Sequence, residues 1–174
     1  MDWPRYQSLQ GWYEMNKEYS DFLTKVDGFV SEKSSRFASD MNCKQGCFEC
    51  CSENLTVTRI EADAIESFIK KNNLHLPAKA LKPGHCKNLD ELGACLIYPV
   101  RPLVCRTHGL PVDYKSDEET KHRSVCPKNF QELELHSLSS NDVLNGDTLN
   151  LLLGVLNMKN FGKIERVHLE KIGR

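Results

Sequence analysis

The sequence predicts a mainly α fold with irregular cysteine-rich loops and minor β content, in which helices frame a metal-stapled centre. Three observations carry this expectation. Apolar residues recur at helical spacing near both ends of the 174-residue chain and once in its middle. All eight cysteines fall between positions 43 and 126. Proline and glycine are dense between 82 and 110, which argues against a long helix there. The length suits a single domain over 1–174, with an N-terminal helical segment at 1–40, a cysteine core at 43–126 and a C-terminal helical segment at 127–174.

Residues 5–40 read as helix. Trp12, Met15, Tyr19, Phe22, Val26 and Phe29 step by three and four and form one stripe. Gly28 offers a place to bend or break it, so two helices are an option. The aromatic residues Trp3, Tyr6, Trp12, Tyr13 and Tyr19 resemble a base-stacking surface in composition, but their helical spacing favours packing on a core. After the first cysteines, Thr58 and Glu61 form a T-x-x-E capping box for a helix with Ile60, Ala64, Ile65, Phe68 and Ile69 on its apolar face. Lys70 and Lys71 suit its C-terminal end, and Asn72, Asn73 and Pro77 stop it. Glu61, Asp63 and Glu66 read as capping and solvated residues.

Residues 82–110 are expected to be irregular, and "PVDYKSDEETKHRS" at 111–124 to be a charged surface loop. "QELELH" at 131–136 alternates like a short strand. Asp147 is placed to cap a helix running to about Met158, with Leu149, Leu152, Leu153 and Leu156 inward. Residues 161–174 are compatible with helix or strand.

Lys and Arg number 23 against 24 Asp and Glu. This balance gives no overall attraction to nucleic acid or anionic membrane. No run approaches the ~18 apolar residues of a spanning helix. The start, MDWPRYQSLQGWYEMNKEYS, lacks the basic, apolar and small-residue pattern of a secretory leader, so the expected location is the cytoplasm. Cytoplasmic thiols are normally kept reduced, which turns grouped cysteines towards metal or redox roles and away from disulfides.

The spacing is Cys43-x3-Cys47-x2-Cys50-Cys51, followed by Cys86, Cys95, Cys105 and Cys126. A two-residue gap on a tight turn lets two thiolates face one ion, and Gly46 eases that turn. Soft thiolates select zinc, iron–sulfur clusters or copper(I). The candidate metal ligands are therefore Cys43, Cys47, Cys50, Cys51, Cys86, Cys95, Cys105 and Cys126. Cys50 and Cys51 are adjacent, and on an extended backbone their side chains diverge. Either one of them serves, or two neighbouring sites exist. Cys105-x2-His108 is a further feasible ligand pair, with His85 and His122 as weaker candidates. Zn²⁺ with four thiolates has a net charge of about −2, which Arg101, Arg106 and Lys44 can offset while donating hydrogen bonds to sulfur. Tyr98 can pack over the site, and Pro99 and Pro102 stiffen the loop. Arginine is also suited to an anionic substrate group.

The first gap matches the radical S-adenosylmethionine cluster loop, but no repeated strand–helix units and no glycine-rich methionine-binding segment follow. The second half is more specific. Cys43-x3-Cys47-x2-Cys50-Cys51, then Cys86, Cys95-Leu-Ile-Tyr98, Arg101-Pro102 and Cys105-Arg106, resembles the YkgJ-type cysteine-cluster family, which is described as zinc- or iron-chelating. "LTVTRIEA" after the first cysteines is similar too, and the likeness spans roughly 43–126. The family tends to carry an aromatic residue and a proline after the Cys-Arg pair, where this chain has Thr107-His108-Gly109.

The resemblance implies a metal-binding protein holding zinc or iron, the iron form including a [4Fe-4S] cluster. A related cluster occurs in larger flagellin lysine N-methylases, so the alternative is an iron–sulfur redox or methyl-transfer enzyme. The sequence shows no glycine-rich cofactor motif and no evident general base. The expected partner is a metal ion, with no clear nucleic-acid signal, no membrane and no named protein partner. The amphipathic N-terminal segment and the 111–124 loop are the places where a protein would dock.

Overall fold

The computed structural model describes residues 16–44, 46–115 and 120–173. Helix α1 (Lys17–Arg36) starts where the Asn16 side chain accepts the Tyr19 amide, and Tyr19, Leu23 and Val26 form its buried stripe. Gly28 lies within this continuous helix, so the option of two helices is not taken. The expectations for Trp3, Tyr6, Trp12, Tyr13 and Met15 lie outside the described residues.

Strand β1 (Thr56–Thr58) leads directly into helix α2 (Arg59–Lys71). The capping box is present, with the Glu61 carboxylate accepting the Thr58 amide at 2.7 Å. The helix ends at Asn72, and Asn73 turns the chain with a φ of 48°. One side of α2 (Ala62, Ile65, Phe68, Ile69) packs with Val57, Ile97, Val100, Leu169 and Ile172 in a first core. Each fully buried side chain of this size contributes roughly 1.5–3 kcal/mol. The other side (Ile60, Ala64) meets Tyr19, Leu23 and Val26 of α1 together with Leu103 and Leu153 in a second core. A third core joins Phe37, Leu110, Val112, Phe130 and Leu144, with the Phe37 and Phe130 rings edge to face at 5.4 Å.

The segment 82–110 is irregular as expected, apart from a 3-10 turn at Tyr98–Val100 and the single-turn helix α3 (Leu103–Thr107). The expected loop at 111–124 is instead a hairpin. Strands β2 (Val112–Lys115) and β3 (Lys121–Ser124) pair antiparallel, and β2 also pairs in parallel with β4 (Leu144–Asn145). Its charged residues hid a cross-strand pair: Asp113 lies opposite Arg123, which grips its carboxylate through Nε and Nη2 at 2.7 and 2.9 Å.

The strand expected at 131–136 does not form. Phe130 adopts a φ of 55°, the chain turns, and Leu133 and Leu135 pack into the third core with no partner strand. A 3-10 turn occupies Leu135–Ser137. Helix α4 (Gly146–Phe161) is capped by Asn145, not Asp147, and stops at Gly162 in the left-handed region. Asp147 instead accepts the Lys115 amide at 2.8 Å. Leu153 is buried as expected, whereas Leu152 is 47% exposed, because α4 covers its neighbours with one narrow side only. The ambiguous C-terminus resolves as strand β5 (Arg166–His168), antiparallel to β1, followed by Leu169 and Ile172 buried in the first core. No described helix is long and apolar enough to cross a membrane.

Candidate metal centre

Four separate stretches of chain bring the cysteines to one region of the molecule, and all eight are free thiols. The first stretch is a series of tight turns. The Cys47 amide donates to Lys44 O at 3.0 Å, the Cys51 amide to Phe48 O at 2.9 Å, and the Ser52 amide to Cys50 O at 3.1 Å. Gly46, expected to ease the turn, sits at a φ of 84° in the left-handed region that favours glycine.

The second stretch is tied straight to the first, because the Cys86 amide donates to Cys51 O at 2.8 Å. Residues 86–95 then form a closed loop, with Leu89 bridging Cys95. Asp90 holds the tip by accepting the amides of Leu92 and Ala94 at 2.9 and 2.8 Å. Gly93 turns with a φ of 79°, and any Cβ there would lie 2.5 Å from the Phe48 ring, so Phe48 seats one cysteine loop on the other.

The third stretch is α3, which presents Cys105. Its first amide, at Leu103, donates to Glu61 Oε1 at 2.9 Å. Glu61 thus caps α2 with one carboxylate oxygen and α3 with the other. The capping box signalled the first role. The second, across 42 residues, had no sequence signal.

The fourth stretch carries Cys126, and a residue that the sequence did not single out organises it. Asn129 is buried and donates from Nδ2 to Cys43 Sγ at 3.2 Å and to Gly109 O at 2.8 Å. Its Oδ1 accepts the Asn42 amide at 2.8 Å, and its own amide donates to Cys126 O at 2.9 Å. A Cβ at Gly109, whose φ is 103°, would lie 3.0 Å from Cys43 Sγ. Glycine at that point lets the chain after His108 pass against the sulfur. An ion pair between Lys128 and Glu49 at 2.6 Å further fastens this stretch to the first.

The thiols are electrostatic neighbours. Burial raises the Cys43 thiol, opposed by the Asn129 hydrogen bond, and the charges of Cys126, Cys47 and Cys50 add to the rise. Burial pushes Cys95 up to about 11, with Cys86 adding to it. Cys105 is raised by burial, then by Cys95 and Cys86. Cys50 and Cys51 are in contact, so the divergence expected of an extended backbone is absent at this tight turn. The Cys50 thiol is drawn down by a hydrogen bond from Cys51 and another from His108, and Cys51 rises correspondingly. His108 is raised in turn by Cys50. Among the described residues, no three Cys, His, Asp or Glu side chains already converge as a ready-made metal site.

The anticipated supporting residues are placed as follows. The Arg101 guanidinium lies 3.8 Å over the Tyr98 ring and donates to Tyr98 O. It is lowered by burial, opposed by the charges of Tyr98 and Asp27 and, least, of Cys95. Arg106 is buried and donates to Arg101 O, Pro99 O and Asp27 of α1, so it fastens the Arg-Pro loop to α1. Lys44 lines a cavity of about 780 Å³ beside Cys47, together with Lys82, His85 and Lys128. His85 packs edge-on to Phe48 at 5.4 Å, and His122 lies on β3.

This thiol-rich region coincides with a family match: residues 42–127 match the CxxCxxCC family, described as "Putative zinc- or iron-chelating domain". Residues 42–127 belong to that family. The CxxCxxCC segment takes in all eight cysteines, Asn42 of the Asn129 network and the whole of the 86–110 loops. No curated protein and no solved structure shows significant similarity to the chain.

Proposed function

We propose that this chain is a metal-binding protein that holds zinc or iron through the clustered thiolates of its CxxCxxCC segment. The observation that carries this reading is the gathering of free thiols from four stretches distant in sequence into one region, fastened by Asn129, Glu61 and the Cys51–Cys86 backbone bond, from which a metal would draw its ligands together. The donor set is all sulfur with one adjacent imidazole, which suits zinc in a closed site and iron in a cysteine-ligated cluster. Oxygen-preferring ions are disfavoured by the same donors. The residues that would hold the metal are the eight cysteines, with His108 beside Cys50. Arg101 and the lysines at Cys47 supply compensating positive charge.

The bound metal would staple loops that own few regular hydrogen bonds, so its binding energy becomes folding energy. Such a site would be the metal-stapled centre that the sequence predicts, in a chain read as one domain working in the reducing cytoplasm. The second reading, an iron–sulfur redox or methyl-transfer enzyme, draws on the same thiols and needs iron with sulfide. Chelator-induced unfolding tests the first reading: treating the protein, purified without oxygen, with a strong chelator should lower its melting temperature and loosen the 41–51 and 82–110 loops to hydrogen exchange. Unchanged melting and exchange, with metal demonstrably removed, would contradict a stapling role.

A further inference from the structure

We propose that the eight thiols make two adjacent four-thiolate metal sites divided at the Cys50–Cys51 peptide bond. The outer site comprises Cys43, Cys47, Cys50 and Cys126, and the inner one Cys51, Cys86, Cys95 and Cys105. This inference rests on the metal-binding reading above.

Backbone tethers draw the division. Cys51 and Cys86 are joined by a direct amide–carbonyl bond, and the chain leaving Cys86 enters a loop closed where Leu89 bridges Cys95 and the Leu96 amide donates to Asn88 O at 2.8 Å. Cys51, Cys86 and Cys95 all pack against the first core, under α2. Cys105 is held to α2 through Glu61 and feels the charges of Cys95 and Cys86 most among the other thiols. The outer thiols belong to the other end of the region. Asn129 bonds Cys43 and the Cys126 turn together, next to Phe130 and Met41 of the third core. Cys43 has Cys126, Cys47 and Cys50 as its thiol neighbours.

Coordination chemistry favours such a division. A structural zinc closes with four ligands, and a [4Fe-4S] cluster takes four cysteines, so eight thiolates oversupply one centre and match two. Each set has its own positive charge: Lys44 and Lys128 near Cys47, and Arg101 near Cys95. Cys50 and Cys51, whose thiols touch, lie on the border, so the two sites would adjoin. The sites also differ in access. In the outer set Cys43 and Cys50 are exposed and Cys47 lines the open cavity, with Cys126 its one buried member, whereas the inner set has no exposed thiol: Cys86 is buried and Cys51, Cys95 and Cys105 are partly covered. The outer metal should therefore exchange first.

The test titrates the reduced, metal-free full chain with Co²⁺ under nitrogen and follows thiolate-to-cobalt absorption. The wild type should saturate at two equivalents. The Cys43→Ser/Cys126→Ser double variant should saturate at one and keep the inner site's absorption. Saturation of the wild type at one equivalent, or loss of all cobalt from that variant, would overturn the two-site assignment. Cys86→Ser/Cys105→Ser disturbs the buried Cys86 of the first core and so tests folding as well as binding; chelator kinetics on the wild type provide an independent measurement. Release should occur in two phases of equal amplitude, with only the slower phase left in the outer variant; a single phase would overturn the division. A wild-type chain that binds no cobalt, zinc or iron at all would instead overturn the metal-binding reading itself.

Discussion

Asn129 and Cys43 are separated by 86 residues, yet the Asn129 amide donates directly to the Cys43 sulfur at 3.2 Å. The same side chain holds Gly109 and Asn42, so one buried amide positions three stretches around the thiols. Asn129→Ala removes all of these bonds and leaves buried partners unsatisfied. It should cost about 2–3 kcal/mol of stability and weaken metal retention at Cys43. Urea unfolding and metal content of the purified variant check both.

Gly109→Ala probes the same contact from the other side. The φ of 103° strains any side chain, and its Cβ would press on Cys43 Sγ at 3.0 Å. A loss of about 1–3 kcal/mol is expected. Gly28→Ala, at an open and helical position, should be neutral or stabilising and is the control.

Glu61 joins the capping of α2 to the placement of Cys105. Glu61→Gln keeps the shape but lacks a second acceptor, so either the Thr58 or the Leu103 amide loses its carboxylate. Stability should fall by about 1–3 kcal/mol, measured by thermal unfolding. Hydrogen exchange should rise at Leu103 and at the first turn of α2, elements distant in sequence, in the one variant.

The hairpin gives a pH signature. The Arg123 guanidinium bonds Asp113 and holds its carboxyl below the usual aspartate range. A depressed folded-state pKa stabilises above the unfolded value, near 4, and that contribution disappears as pH falls through the folded value. The pair is partly solvated, so it is worth about 0.5–1 kcal/mol. Asp113→Asn should flatten the acid limb of the stability profile by this amount and leave neutral-pH metal content unchanged.

The sequence revealed elements whose signals are local. The capping box at Thr58 and Glu61, the α2 stripe and the proline- and glycine-rich irregular path of 82–110 all rest on neighbours a few residues apart. It missed what depends on distant partners. The hairpin looked like a charged loop because Asp113 and Arg123 satisfy each other only after pairing. "QELELH" alternated correctly, but no strand was available beside it. The thiols were legible as candidate ligands, while their holders, Asn129 and the second oxygen of Glu61, act across 86 and 42 residues and follow no spacing rule.

The most direct test of metal binding is the content of zinc, iron and acid-labile sulfide per chain, in untagged protein purified without oxygen, beside Cys47→Ser and Cys105→Ser. Stoichiometric zinc without sulfide, or iron with matching sulfide, is expected, with a lower content and stability in each variant. A wild-type chain with no bound metal and its thiols already paired as disulfides would contradict it.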